Sequence, residues 1–397
     1  MPATPEFFRL EGVNLITRVR ENAGPGSLPW HECGGRAVPT PMSEQTSSDD
    51  RPAMPLEKAF WQKAWSALFR LFRLVIYLLG IAWAAGAVFF DVPIEDETAR
   101  KLLAIGYAVV VLLFFAGIRT RRGRFVVWLV AMSVVLVPWL MIRPSNDRNW
   151  EPPWARTAWA DLEGDVVTFH NLRNFDYALD GKVMERWEER TVHLSNLRGL
   201  DYFHDGFGGE LLAHPILSFD FGAEGRVAFS IECRREVGEK FTPVGGLFKM
   251  FELSYLVGDE RDFIRLRTNI RDEPVRLYRA SYSEKRIREM FFETVGGLNV
   301  LKNRPRFYNS LTANCTTSYW SQAPAGKRAR FDYRLLLNGK LESLLYERRV
   351  IVSNGLPLEE LVERASINEA AKAAHDDPEF SARIRKGIPQ GDWLVRS

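Results

Sequence analysis

Cys315 lies in a stretch whose residue types suit nucleophilic chemistry. The stretch is RPRFYNSLTANCTTSYW, residues 304–320, and it places Asn314 directly before the cysteine and Thr316 directly after it. Asparagine is a favoured N-cap residue, so Cys315 is predicted to begin a helix. Free N–H groups and the dipole at a helix N-terminus favour the thiolate, which is the nucleophilic form of cysteine. We therefore expect a lowered thiol pKa at Cys315 and treat it as a candidate nucleophile.

A cysteine nucleophile needs a base, and the candidates are His170, His193, His204 and His214. His214, in AHPILSFDF, is predicted to open a strand whose hairpin partner carries Glu232. A histidine on one strand can accept the thiol proton while a polar side chain on the next strand orients its ring. His204 is the second candidate, in a glycine-flanked loop, YFHDGFGG, that is expected to face solvent.

The opposite interpretation is that Cys315 is an ordinary buried cysteine, since free cysteines are often buried. The other cysteines, Cys33 and Cys233, form no CxxC pair with it, and the six histidines are scattered singly. This pattern predicts neither a metal site nor a cofactor. A formal charge of +3 over 397 residues gives no reason to expect a nucleic-acid partner.

Three apolar runs without internal charges follow an aperiodic segment, residues 1–55, which is predicted to be a disordered tail. The runs cover residues 74–90, 102–118 and 125–142. Their lengths are at the short end of what crosses a bilayer, so residues 56–143 are predicted to form a membrane domain with three transmembrane helices. Three buried core helices are the alternative.

The charges beside these runs predict their orientation. RTRRGR, residues 119–124, carries four arginines between the second and third runs, whereas the connection between the first two, DVPIEDETAR, is mostly acidic. The positive-inside rule then places the N-terminus in the cytoplasm and everything after Arg143 on the other side. In a bacterium this predicts an inner-membrane protein with a periplasmic C-terminal domain.

The part after the membrane is predicted to begin with a tryptophan-rich linker, residues 144–164, followed by a domain at 165–397. The linker tryptophans suit either a lipid interface or packing against the domain. Short strands and helices in mixed order predict an α+β domain with an antiparallel sheet. The predicted strands include residues 263–269 and 275–280. The predicted helices are residues 245–257, residues 283–303 with Ser283 as cap, and residues 357–374.

Five blocks of the chain resemble the periplasmic domain family named after the N-terminal domain of the lipoprotein lyso-form N-acyltransferase. The blocks are NLRNFDY, AHPILSFDF, SIECRRE, DERDFIRLRTNIR and RPRFYNSLTANCTT, in the family's order over roughly residues 165–320. The resemblance implies a circularly permuted papain-like fold. It also implies Cys315 as nucleophile, His214 as base and Glu232 as third member, with Asn314, Thr316, Tyr308 and His204 as supporting residues.

The resemblance implies a membrane-anchored cysteine acyltransferase that forms a thioester. Its partners would be the lipid bilayer and acylated envelope substrates such as lipoproteins. Two alternatives stay open from the residues alone. One is a papain-like amidase or peptidase acting on the cell wall, and the other is a non-catalytic envelope scaffold.

Overall fold

The computed structural model describes residues 56–389, and three long helices come first. They are α1 (Leu56–Asp91), α2 (Glu97–Gly117) and α3 (Arg121–Met141). All three are long and apolar enough to cross a membrane. Each predicted apolar run begins inside its helix, 18, 5 and 4 residues after α1, α2 and α3 start. Asp96 and Thr120 cap the N-termini of α2 and α3, so the polar connections set where these two helices begin.

The C-terminal ends of α1 and α3 meet. The indole N–H of Trp139 in α3 donates a hydrogen bond to Asp91 Oδ2 at 2.6 Å, and Trp83 and Trp139 pack edge to face. Two helices whose C-termini adjoin run in the same direction. The chain that continues after α3 therefore leaves the helices at the end where α1 also stops.

The region after the helices is an α+β domain built on one large sheet and a small hairpin. In chain order the strands are β1 (Trp159–Glu163), β2 (Val166–Arg173), β3 (Asp176–Tyr177), β4 (Val183–Met184), β5 (Trp187–His193), β6 (Gly199–Gly208), β7 (Leu212–Asp220), β8 (Arg226–Arg234), β9 (Glu252–Asp259) and β10 (Val275–Arg279). The sheet order is β1-β2-β9-β8-β7-β6-β10, with β5 also paired to β2. The sheet is mixed, because β2 runs parallel to β9 while the other pairs are antiparallel.

Seven helices of the described residues cover both faces of this sheet. They are α4 (Glu260–Arg265), α5 (Glu284–Asn303), α6 (Cys315–Gln322), α7 (Leu341–Glu347), α8 (Leu358–Arg364), α9 (Asn368–Ala373) and α10 (Phe380–Arg383). Along β8, Val227, Phe229 and Ile231 belong to the core cluster that contains Phe291 of α5, whereas Ala228 belongs to a second cluster beneath α4 and α9. Alternate residues of a strand point to opposite faces, so β8 supplies two cores at once.

Three predicted elements are wrong. Residues 245–257, predicted as a helix, form a 3₁₀ turn (Gly245–Leu247) and then β9, because ELSYLVGD pairs along its whole length with β8. Residues 263–269, predicted as a strand, are helical. Asp259 caps α4 by accepting from Arg261 N, and a π-helical turn (Leu266–Ile270) follows. The predicted helix at 357–374 is two helices, α8 and α9.

The linker tryptophans pack against the domain rather than facing lipid. Trp150 and Trp154 are buried, and the guanidinium groups of Arg234 and Arg235 lie over their rings at 4.3 and 4.6 Å. The sheet itself begins with Trp159 in β1. The short segment after α3 is thereby fixed to the domain, which holds the domain close to the helix ends. The predicted tail, residues 1–55, lies outside the described residues.

Candidate functional site

Cys315 is the first residue of α6, and Asn314 is its N-cap. The Asn314 side chain accepts hydrogen bonds from the N–H groups of Thr316 and Thr317 at 2.9 and 2.7 Å. Thr317 Oγ1 accepts from Asn314 N in return at 2.9 Å, which completes a capping box. The Asn314 amide also donates to Ser310 O at 2.9 Å. This local network fixes the backbone that carries the thiol, as the sequence predicted for the helix start.

His214 lies near the start of β7, and the side chain that it contacts is Ser230 on β8. His214 Nε2 is 2.6 Å from Ser230 Oγ, which donates to Glu232 Oε1, also at 2.6 Å. The direct separation between His214 Nε2 and Glu232 Oε1 is 3.7 Å. Glu232 therefore acts on the imidazole through Ser230, which the sequence-based triad omitted. The sequence could have indicated Ser230, because it lies two residues before Glu232 on the same strand, where their side chains share a face.

These contacts determine which nitrogen of His214 carries the proton. A serine hydroxyl has one hydrogen to donate, and an ionised carboxylate can only accept. Ser230 gives its hydrogen to Glu232, so Nε2 of His214 must be the donor to Ser230. Nδ1 is then the basic nitrogen, and it has no hydrogen-bond partner within residues 56–389.

Glu232 is held in its ionised form by its surroundings. Burial alone would raise the pKa of this carboxyl, but the Arg267 guanidinium and then the His214 imidazole lower it below its usual range. Arg267 Nη2 donates to Glu232 Oε1 at 3.0 Å, and the indole N–H of Trp154 donates to Oε2 at 3.0 Å. A permanently charged acceptor at this point keeps the Ser230 hydroxyl and the His214 ring in one orientation.

Cys315, His214, Glu232 and Tyr308 line one cavity of about 230 Å³. Its lining contains both aromatic and charged side chains. The remaining lining residues are Trp154, Asp205, Phe207, Ile231, Cys233, Arg235, Phe241, Arg267, Arg271 and Glu273. No hydrogen bond within the described residues joins the thiol to the imidazole. Such contacts are commonly long before substrate binds.

The pKa values of the two groups contradict the expected thiolate. Burial raises the pKa of Cys315 to about 11, although hydrogen bonds from Thr316 oppose the rise. Burial also lowers the pKa of His214 to about 3, against the opposing effect of Glu232. At neutral pH the resting pair is a neutral thiol and a neutral imidazole. The helix terminus is too enclosed for its dipole to outweigh the desolvation of a charge.

Asn338 is a site residue that the sequence analysis missed. Its Nδ2 donates to Cys315 Sγ at 3.4 Å and to Thr316 Oγ1 at 2.9 Å, while its Oδ1 accepts from Ala213 N at 2.8 Å. It thus ties the Cys315 side chain to the backbone next to His214. In sequence, LNGK suggests only a turn, since nothing local shows that residue 338 returns to residue 315.

His204 is not in a solvent-facing loop, so that expectation is wrong. It lies within β6, is 2% exposed, and its Nδ1 is 2.8 Å from the Tyr202 hydroxyl. It does not line the cavity. The apparent loop YFHDGFGG is the end of a strand, because β6 pairs with β7 as far as Gly208.

The two other supporting residues differ in their positions. Tyr308 is buried and lines the cavity, and its ring lies 6.5 Å from that of Phe241. Thr316 Oγ1 is 3.8 Å from Cys315 Sγ.

Cys233 also lines the cavity and packs against the larger core cluster. Burial raises the pKa of Cys233, which leaves its thiol protonated.

The raised pKa of Cys315 predicts how its alkylation by iodoacetamide depends on pH. Because the thiolate is the reacting form, the rate should rise about tenfold per pH unit between pH 7 and 10. Cys233 should react more slowly throughout. Mass spectrometry of tryptic peptides measures both rates, and a Cys315→Ser variant identifies the signal. A rate that is already constant at pH 7 would instead indicate a thiolate–imidazolium pair.

The comparisons with known proteins agree with the family resemblance. Residues 184–339, less than half of the chain, match the family model described as Lnb N-terminal periplasmic domain. The match includes His214, Glu232, Cys315 and Asn338. No curated protein matches the chain, and no solved structure does. Residues 184–339 of this membrane protein therefore belong to the Lnb N-terminal periplasmic domain family.

Proposed function

We propose that this protein is a membrane-anchored cysteine acyl-transfer enzyme that takes acyl groups from lipids or lipoproteins. The observation that carries the proposal is the arrangement at Cys315. A thiol at a capped helix start shares a cavity with an imidazole whose other nitrogen is held by Ser230 and Glu232. Papain-type enzymes likewise attack a carbonyl carbon with a cysteine beside a histidine that a polar residue orients.

In the first step the thiol attacks the carbonyl carbon of an ester. His214 Nδ1 accepts the thiol proton as the S–C bond forms, which avoids a free thiolate in the buried site. The carbonyl oxygen becomes an oxyanion. The Asn338 amide, which already points at the thiol, is placed to donate to it. The C–O bond then breaks, and the leaving alkoxide takes the proton from His214, which leaves an acyl thioester on Cys315.

In the second step an amine or water attacks the thioester. His214 accepts a proton from the attacking group, a new N–C or O–C bond forms and the S–C bond breaks. The proton passes to the departing sulfur, which restores the neutral thiol. Glu232 stays ionised throughout and stabilises the transient imidazolium through Ser230.

The role of the base predicts the behaviour of His214→Gln. Glutamine can still donate to Ser230 but is no base, so acylation of Cys315 by p-nitrophenyl acetate should fall at least about 100-fold. Mass spectrometry of the adduct measures this. His204→Gln is the matched control, since it changes a second buried histidine outside the cavity, and it should keep most of the wild-type rate.

Two further variants separate the roles in this relay. Ser230→Ala and Glu232→Gln should lose less than His214→Gln, since the base itself remains in both variants. Circular dichroism checks that every variant is folded. Activity retained in His214→Gln but lost in folded His204→Gln would refute the assignment. A wild-type protein that forms no adduct would favour the scaffold alternative, and a peptide-derived adduct would favour an amidase.

The proposed oxyanion donor predicts the effect of Asn338→Asp. Aspartate can still accept from Ala213 N but cannot donate toward the substrate oxygen, so the acylation rate should fall about 100-fold. The protein should remain folded. Asn303→Asp on α5 is the control, because Asn303 contacts the helix backbone and not Cys315. An unchanged rate in Asn338→Asp would exclude Asn338 from transition-state stabilisation.

We further propose that the helices lie in the bacterial inner membrane with the N-terminus in the cytoplasm. The adjoining ends of α1 and α3 support this topology, with the arginines of residues 119–124 at the cytoplasmic end. A reporter fused after Ser397 should be active in the periplasm, and one fused at Thr120 in the cytoplasm. A cytoplasmic signal from the C-terminal fusion would refute the topology.

A further inference from the structure

An exposed apolar surface lies between the membrane helices and the cavity. We call it the entrance patch and define it by the side chains of Phe207, Val244, Leu247 and Leu311. These four side chains are 42–55% exposed. An exposed apolar cluster of this kind usually marks a surface that meets a lipid or protein partner. Its contacts with the helix ends indicate which of these it meets.

The loop of residues 242–250, which carries Val244 and Leu247, is fixed to the ends of α1 and α3. Lys249 N donates to Asp91 Oδ1 at 3.0 Å, and Lys249 Nζ donates to Trp139 O at 2.7 Å. The Phe248 ring stacks on Phe90 with centroids 5.1 Å apart. A methyl group at Gly86 would overlap this same ring. The loop therefore sits where the two spans end, which is the depth of the membrane interface.

The same loop contacts the segment that leads to the nucleophile. Ser310 N donates to Gly246 O at 2.8 Å, and Ser310 Oγ donates to Pro243 O at 2.7 Å. Leu311 is therefore adjacent to the loop, and Ser310 O in turn accepts from the Asn314 amide. Three hydrogen bonds thus connect the interfacial loop to the cap of the helix that begins with Cys315.

Aromatic rings continue the path into the cavity. A Cβ at Gly246 would lie 3.0 Å from the Tyr308 ring. The ring of Phe241 lies 6.5 Å from Tyr308 and 6.4 Å from Phe207. All three aromatic residues line the cavity with Cys315. Aromatic side chains therefore lead from Phe90 at the end of α1 to the cavity that contains the thiol.

We propose that the entrance patch lies in the lipid interface and admits a bilayer-borne acyl chain directly to the cavity. The entry of an acyl chain rests on the proposed function, whereas the position of the patch does not. An acyl chain taken from lipid along this path would keep apolar contacts throughout. A chain that entered from water would first have to be exposed.

The position of the patch is tested by bromine quenching. Leu247→Cys is labelled with bimane in a Cys33→Ser, Cys315→Ser background and reconstituted in vesicles of phosphatidylcholine with brominated acyl chains. Leu179→Cys is the matched control, because Leu179 is 76% exposed in the β3–β4 hairpin. That hairpin attaches to Asp262 beyond the far end of β9. The far end is roughly 26 Å from its start near α3, for eight residues at 3.3 Å each. We expect strong quenching at residue 247 and little at 179.

The use of the patch is tested with a Val244→Asp, Leu247→Asp double variant in proteoliposomes. Attack by Cys315 on p-nitrophenyl palmitate in the bilayer forms the thioester and releases p-nitrophenol. The rate of thioester formation with p-nitrophenyl palmitate should fall at least about tenfold, because the charges hold the loop out of the lipid. The rate with water-soluble p-nitrophenyl acetate should stay within about twofold, since the cavity is unchanged. Leu179→Asp should alter neither rate.

The outcomes separate the two proposals. Quenching at residue 247 with no acylation of the wild type by either ester would refute the proposed function and leave the position of the patch supported. Acylation without quenching at 247 would refute the patch as a lipid surface and point to a protein partner. Equal loss with both esters, or loss with neither, would refute its role as an entrance.

Discussion

The charge on Arg267 is the constraint on which the candidate site depends. This guanidinium is 3% exposed and donates to Asp205 Oδ2 at 2.8 Å, Phe263 O at 2.9 Å and Glu232 Oε1 at 3.0 Å. A buried charge of this kind is tolerated only when its partners surround it. Because Asp205 is on β6 and Glu232 on β8, Arg267 holds the two strands that flank His214 on β7.

The state of each reacting group follows from this arrangement. Arg267 keeps Glu232 ionised, Glu232 takes the Ser230 hydrogen, and Ser230 then accepts from His214. The basic nitrogen of the imidazole is left for the cavity. Burial keeps both the thiol and the imidazole neutral at rest. In the proposed mechanism, charge forms only during attack, when an oxyanion and an imidazolium appear together.

The end of the domain that carries the candidate site also adjoins the membrane helices. Tyr308 N donates to Phe251 O beside the start of β9, and Ser145, just after α3, donates to Glu252. The site is consequently near the helix ends rather than at the far side of the sheet. This position near the helix ends is consistent with the lipid-anchored substrates of the proposed function.

The sequence by itself determined the features that are local in the chain. The apolar runs fixed the three membrane helices, Asn314 fixed the start of α6, and the hairpin of β7 and β8 followed from alternation and the turn between them. FIRLRTN, residues 263–269, has the spacing of a strand but is helical. Asp259 caps the helix that begins there, and Arg265 and Arg267 find their buried partners only in the helical conformation. The helix predicted at residues 245–257 was wrong for the opposite reason, because pairing with the central strand β8 outweighed a helix-like pattern.

Only the tertiary structure decided the partners and the protonation states. Nothing near Asn338 indicates that a turn 23 residues away would place its amide on the Cys315 thiol. His204 and His214 are ten residues apart, yet the fold buries one beside Tyr202 and places the other in the cavity. The thiol pKa was expected to fall because of the helix terminus and a nearby imidazole, but burial raises it. Desolvation depends on everything packed around a group, and that is a property of the whole fold rather than of its own segment.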